Sequence, residues 1–172
     1  ARLADALDDV EQAETEASEP VQEVWAMSGG DAVANRALEM IETADEEVLL
    51  VLGHSGAWSD ALGETLAALP AHVELVVGCV DEGLADSVTD AVPRATTFVS
   101  GLDWLSAAEG DHVTVGRLLL VDRESILVST VDPDTGDEQA VFGGGFRNGL
   151  VVVTRRLMAQ GLLPDRDPGE PE

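Results

Sequence analysis

The stretches EEVLLVLG at 46–53 and HVELVVGC at 72–79 constrain the fold most, because each is a strand-length apolar run where a half-buried strand would alternate. Unbroken runs belong to strands covered on both faces, as in an α/β sheet. The sequence between and around them agrees. Val33, Ala37, Leu38 and Ile41 make the apolar stripe of a helix over 32–44, opened by Ser28-Gly29-Gly30-Asp31 with Asp31 as N-cap. Residues 59–69 predict a second helix stopped by Pro70, and 82–91 a short third. Short strands are expected over 22–27 and 95–100. Two more, 112–121 and 125–131, are joined by the turn Asp122-Arg123-Glu124-Ser125, and so short a connection makes an antiparallel pair. A polar loop, DPDTGDE at 132–138, leads to a strand over 139–142. The corner GGGFRNG at 143–149 then opens a last helix between Asn148 as N-cap and Gly161 as stop.

A chain of 172 residues suffices for one compact domain, expected over 21–163. In residues 1–20, Leu3, Leu7, Val10 and Ala17 trace a helical seam that Glu14 interrupts, before Pro20. This is the pattern of a coiled-coil linker end, or of a solvated acidic tail with incidental periodicity. The chain starts inside that pattern at Ala1, so further sequence is expected upstream. Residues 164–172, PDRDPGEPE, are too polar and proline-rich to fold and form an acidic tail. No apolar run approaches the ~20 residues that cross a bilayer, so no membrane partner and a cytoplasmic location are expected. The single Cys79 follows a buried strand and reads as a small hydrophobe.

With 34 Asp plus Glu against nine basic residues the formal charge is −25, and there is no lysine. Such a surface repels itself in dilute buffer, whereas molar salt cuts the screening length to about 3 Å and removes most of that cost. The balance resembles that of salt-adapted haloarchaeal proteins. It also opposes direct contact with nucleic acid, which needs clustered cations. Only Arg155 and Arg156 adjoin, and the last turn of the final helix explains them.

The segment VTVGRLLLVDRESILVST at 113–130 resembles the strand-hairpin motif of phospholipase D-like enzymes, His-x-Lys-x4-Asp followed by a serine on the return strand. Here Val115, Arg117 and Asp122 hold those positions, with Ser129 as the serine. Valine has no lone pair to form the covalent phospho-enzyme, so the resemblance implies the scaffold without the reaction. More broadly, residues 21–162 resemble the phospholipase D-like effector domain of haloarchaeal TrmB-family archaeal transcription regulators. The segments that carry this are VWAMSGGDAVANRALEMIETADEEVLLVLG, SGLDWL, VGRLLLVDRESILVS and FGGGFRNGLVVVTRRLMAQGLL. The resemblance implies an α/β phospholipase D-like mixed sheet flanked by helices, preceded by the end of a coiled-coil helix. It further implies a homodimer with no catalysis, senses a small-molecule effector (a sugar or an anionic metabolite), and reaches DNA only through an N-terminal domain outside this chain. The alternative is an active phosphodiesterase or hydrolase that uses His54, Arg117 and Asp122 in a rearranged site.

Other motifs dissolve on inspection. GGGFRNG puts Asn148 where a dinucleotide fingerprint needs its last glycine, and DPDTGDE puts Gly136 and Gly143 at calcium-ligand positions. His54, His72 and His112 lack zinc spacing. No metal and no cofactor is expected. The ligand-binding candidates are Arg117, Asp122, His54, Ser100, Trp104 and Arg147, converging where the strand ends near Cys79 to Asp81 meet the 100–104 segment. Arg117 either contacts the ligand or pairs with a carboxylate such as Asp122. Trp104 is either core or pocket wall, and His54 either a loop residue or a ligand contact. The charge yields the first prediction: the melting temperature rises as KCl goes from dilute to multimolar, and an equal or higher value in dilute buffer refutes salt adaptation.

Overall fold

The computed structural model describes residues 23–99 and 113–145 together with Gly149, Val151, Val152 and Arg156. Seven strands form one sheet: β1 (Glu23–Ser28), β2 (Glu47–Leu52), β3 (Glu74–Cys79), β4 (Thr96–Phe98), β5 (Thr114–Val121), β6 (Ser125–Val131) and β7 (Glu138–Gly144). Their order is β1-β7-β6-β5-β2-β3-β4. Strands β2, β3 and β4 are parallel, and every other neighbour pair is antiparallel. Three helices, α1 (Gly30–Glu42), α2 (Asp60–Ala67) and α3 (Glu82–Ala91), make the connections among β1, β2, β3 and β4.

All three helices cover one face of the sheet. Val33, Ala37 and Ile41 of α1, Leu62 and Leu66 of α2, and Leu84 and Val88 of α3 pack on Leu50, Leu52, Val77, Leu119 and Leu127 in one cluster. Leu49, Val51, Phe98, Leu118, Leu120 and Ile126 point the other way and pack with the helical residue Val151. The unbroken run in β2 is thereby explained, since its side chains are buried alternately in the two clusters. None of the described helices is long and apolar enough to cross a membrane.

Helix ends follow local chemistry. Ser59 accepts from the Leu62 amide and Asp81 from the Leu84 amide, which satisfies one free N–H at the start of α2 and of α3. At α1 the expected cap is corrected: the helix starts one residue before Asp31, with Gly29 as N-cap at φ 105° and no side-chain cap. The Gly29 amide bonds the Glu138 carbonyl, which pins this helix start to β7. The expected loop 132–138 is also one residue too long, because Glu138 opens β7. The strand expected over 125–131 is β6 to the residue, with Ser125 as its first member. The coiled-coil linker and acidic tail expected at 1–20 and 164–172 lie outside the described residues, as do the caps expected at Asn148 and Gly161.

In the β5–β6 turn, Asp122 and Arg123 both adopt positive φ, 53° and 59°, which disfavours residues with side chains. Tertiary bonds hold them there. The Asp122 carboxylate accepts from the amides of Asp45, Glu46 and Glu47 at 2.8 to 3.2 Å, and Arg123 pairs with Glu47. Partial burial alone would raise the Asp122 carboxyl, but the amides of Glu47, Asp45 and Glu46 outweigh it and hold it below the ordinary carboxylate value. A carboxyl lowered in the folded state supplies stability that is complete above its unfolded value of about 4 and is lost as pH falls through the folded value. Asp122→Ala is therefore expected to lose about 1.5–3 kcal/mol in urea unfolding at neutral pH. The gap to the parent protein should close as pH drops below about 4, and a gap independent of pH would remove the carboxylate from the account.

Candidate functional site

Strand β5 is irregular where its motif lies. Val115 pairs with Thr130 and Leu118 with Val128, so Gly116 and Arg117 together oppose the single residue Ser129. Gly53, just past β2, makes room for this bulge. Its amide bonds the Gly116 carbonyl, and a Cβ at Gly53 would sit 1.8 Å from the Val115 carbonyl oxygen. A Cβ at Gly116 would come within 2.7 Å of Ser129 Oγ. Only glycine fits at either position.

The bulge turns Arg117 toward the helix-covered face, where it meets Glu138 in a closed network. Arg117 Nε donates to Glu138 Oε1 at 2.8 Å and Nη2 to Oε2 at 2.9 Å. Ser129 Oγ donates to Oε1 at 2.6 Å and accepts from the Arg117 amide at 2.9 Å. Arg117 is 6% exposed and Glu138 4%. Charges this dry persist only when paired and hydrogen-bonded, and here both carboxylate oxygens and one guanidinium edge, Nε with Nη2, are used.

A cavity of about 490 Å³ opens in front of this network. Its walls are the first turns of α1 and α2, the 54–57 segment, and the ends of β5, β6 and β7. Asp31, His54, Ser59, Thr114, Arg117, Asp132 and Glu138 supply the polar lining. Burial pushes the His54 imidazole below its ordinary value; Glu138 pulls it back up and Arg117 adds to the lowering, so it is neutral at pH 7. Its Nε2 is buried without a hydrogen-bond partner. A buried, unpaired ring nitrogen at a cavity wall is a group available to a ligand.

Of the six sequence candidates, the structure brings His54 and Arg117 together. Asp122 is corrected: it lies at the far end of β5, about 16 Å along the strand at about 3.3 Å per residue, with its carboxylate committed to backbone amides. It neither pairs with Arg117 nor lines the cavity. Ser100, Trp104 and Arg147 lie outside the described residues. The neighbourhood of Cys79 to Asp81 is not part of the cavity either. Cys79 is fully buried, and burial, with Asp81 and Glu82, pushes its thiol up to about 12, which leaves it unreactive. Among the described residues no group of three His, Cys, Asp or Glu is placed to hold a metal ion.

Glu138 is the residue that sequence reasoning missed. It falls in a run of acidic loop residues, yet Glu138, Ala140 and Phe142 share one parity, and β7 buries its first and third residues on the helix side. That alternation, and the need of a buried arginine for a carboxylate, were the available signals. Val115, in the slot of the nucleophilic histidine, is turned away. It packs against the second cluster, on the face opposite Arg117.

No protein-family model matches the chain, and no curated protein does. Solved structures do match. TrmBL2, described as an archaeal chromatin protein with a novel mode of DNA binding, shares 19% identity at a TM-score of 0.53; the match covers 92% of this chain and 62% of that one. NucT from Helicobacter pylori shares 10% identity at a TM-score of 0.55, over 81% of this chain and 96% of its own. The fold is phospholipase D-like. The chain spans 62% of the length of TrmBL2, and at such identities the likeness carries the fold alone.

Removing one partner of the Arg117–Glu138 pair leaves a buried uncompensated charge. Glu138→Ala is expected to lose about 3–5 kcal/mol in urea unfolding, and the double variant Arg117→Met with Glu138→Leu to recover most of it. A double variant as unstable as the single one would show that shape, not charge, is what the network supplies.

Proposed function

We propose that this chain is a non-catalytic effector-sensing and dimerisation domain of a TrmB-like transcription regulator. In this reading it works in the cytoplasm as a homodimer and reaches DNA through a separate DNA-binding domain. The observation that carries the reading is the bulge at Gly116–Arg117, which puts the motif's nucleophile slot and its cation slot on opposite faces of the sheet. A histidine at position 115 would not reach the cavity. What the bulge preserves is a cavity of about 490 Å³, of a size for a small molecule. The fold shared with TrmBL2, itself described as DNA-binding, supports the regulatory role. The charge of −25 supports delegating DNA contact to another domain. A ligand between α1, α2 and the sheet shifts the chain between two arrangements only by the difference in its affinity for them.

One observation favours the second reading, an active hydrolase: the neutral, unpaired His54 stands in the same cavity as Arg117. Turnover of a chromogenic phosphodiester separates the two. The expected result is none in the parent protein and none in Val115→His. Turnover that disappears in His54→Ala would establish the hydrolase instead.

A further inference from the structure

We propose that the ligand of this cavity is a small organic cation, an aliphatic ammonium or guanidinium compound, and not an anion. The inference rests on the reading of the cavity as a ligand site. Its starting point is that Arg117, the one cation in the lining among the described residues, is already neutralised by Glu138 through two hydrogen bonds. A phosphate or carboxylate entering the cavity would have to compete with a buried carboxylate that is held in place by Ser129 as well.

The ionised groups left over are both acidic. Asp31 lines the cavity from the first turn of α1, and its carboxylate makes no hydrogen bond or ion pair among the described residues. Asp132 lines it from the end of β6, and there Oδ1 accepts from the amides of Asp134 and Thr135, leaving Oδ2 unbonded. The helix starts offer an anion little: Asp31 already occupies the first turn of α1, and Ser59 takes an amide at α2. His54 adds no positive charge at neutral pH, and its buried Nε2 stands ready for a polar group of the ligand.

A bare metal ion does not fit the same arrangement. The acidic groups are too dispersed for one ion to bridge three of them. A cation with a carbon body does fit, because Ala34, Ala37, Leu38 and Leu62 give the helix side of the cavity an apolar wall. The hydrocarbon lies on that wall and the charged head reaches Asp31 and Asp132. In multimolar salt the screening length is about 3 Å, so the acidic surface at large holds no particular cation and only carboxylates in direct contact discriminate.

Isothermal titration calorimetry of the full chain in multimolar KCl at pH 7 tests this with putrescine and agmatine as cations, glycerol phosphate as anion and myo-inositol as neutral polyol. The expected result is saturable binding of at least one cation, weakened about tenfold or more in Asp31→Asn, with no binding of glycerol phosphate. Asp31 is exposed, so its amide variant keeps the fold, and an unchanged melting temperature verifies that. Cation heats that are equal in the parent and in Asp31→Asn overturn the inference, since they report the general ion atmosphere. Binding of glycerol phosphate or inositol without a cation overturns it too, while leaving the ligand site intact. Silence from all probes, with a folded protein, counts against the cation and against the ligand-site reading together.

Discussion

The charge of Arg117 cannot be buried without Glu138, and much of the local architecture follows from that requirement. A guanidinium at 6% exposure needs a carboxylate in the same dry layer. Glu138 answers from two strands away across β6, so β5, β6 and β7 are cross-linked through side chains as well as through their ladders. The same residue holds the Gly29 amide through its carbonyl, which brings the start of α1 to the cavity rim. One glutamate thus ties the buried cation, the strand order and the first helix together.

The bulge is the backbone counterpart of that pair. An extra residue opposite Ser129 leaves one amide without a ladder partner, and the Ser129 hydroxyl takes it. The same hydroxyl then donates to Glu138, so the serine of the motif has a structural task here. On this fold a phosphodiesterase would need a nucleophile on the cation's side of β5. The bulge sends Val115 to the other side and leaves Gly116 in its stead, where even a methyl group would crowd Ser129. Loss of the histidine and loss of the geometry therefore go together, and the cavity that remains is acidic at its rim and neutral at its floor.

Sequence reading succeeded where the physics is local. Helix 82–91 was legible to the residue, because Asp81 caps its first turn and the apolar run of β3 ends just before it. The antiparallel pair at β5 and β6 was legible from the shortness of its turn, although the positive φ of Asp122 and Arg123 was not, since neither residue is a glycine. Those two residues are held there by amides and a carboxylate some 75 positions earlier in the chain. The motif spacing alone makes Asp122 a ligand candidate, whereas its position is set by the start of β2.

From composition and periodicity follow the α/β class and the acidic surface, and the motif resemblance adds that no histidine stands at its nucleophile position, because each depends on residue identity or on neighbours within one turn or strand. Tertiary structure alone decided which carboxylate answers Arg117 and which face Val115 takes. Those outcomes depend on strand order and on a single inserted residue in register. A one-residue shift reverses the face of a side chain while leaving the local apolar pattern nearly unchanged.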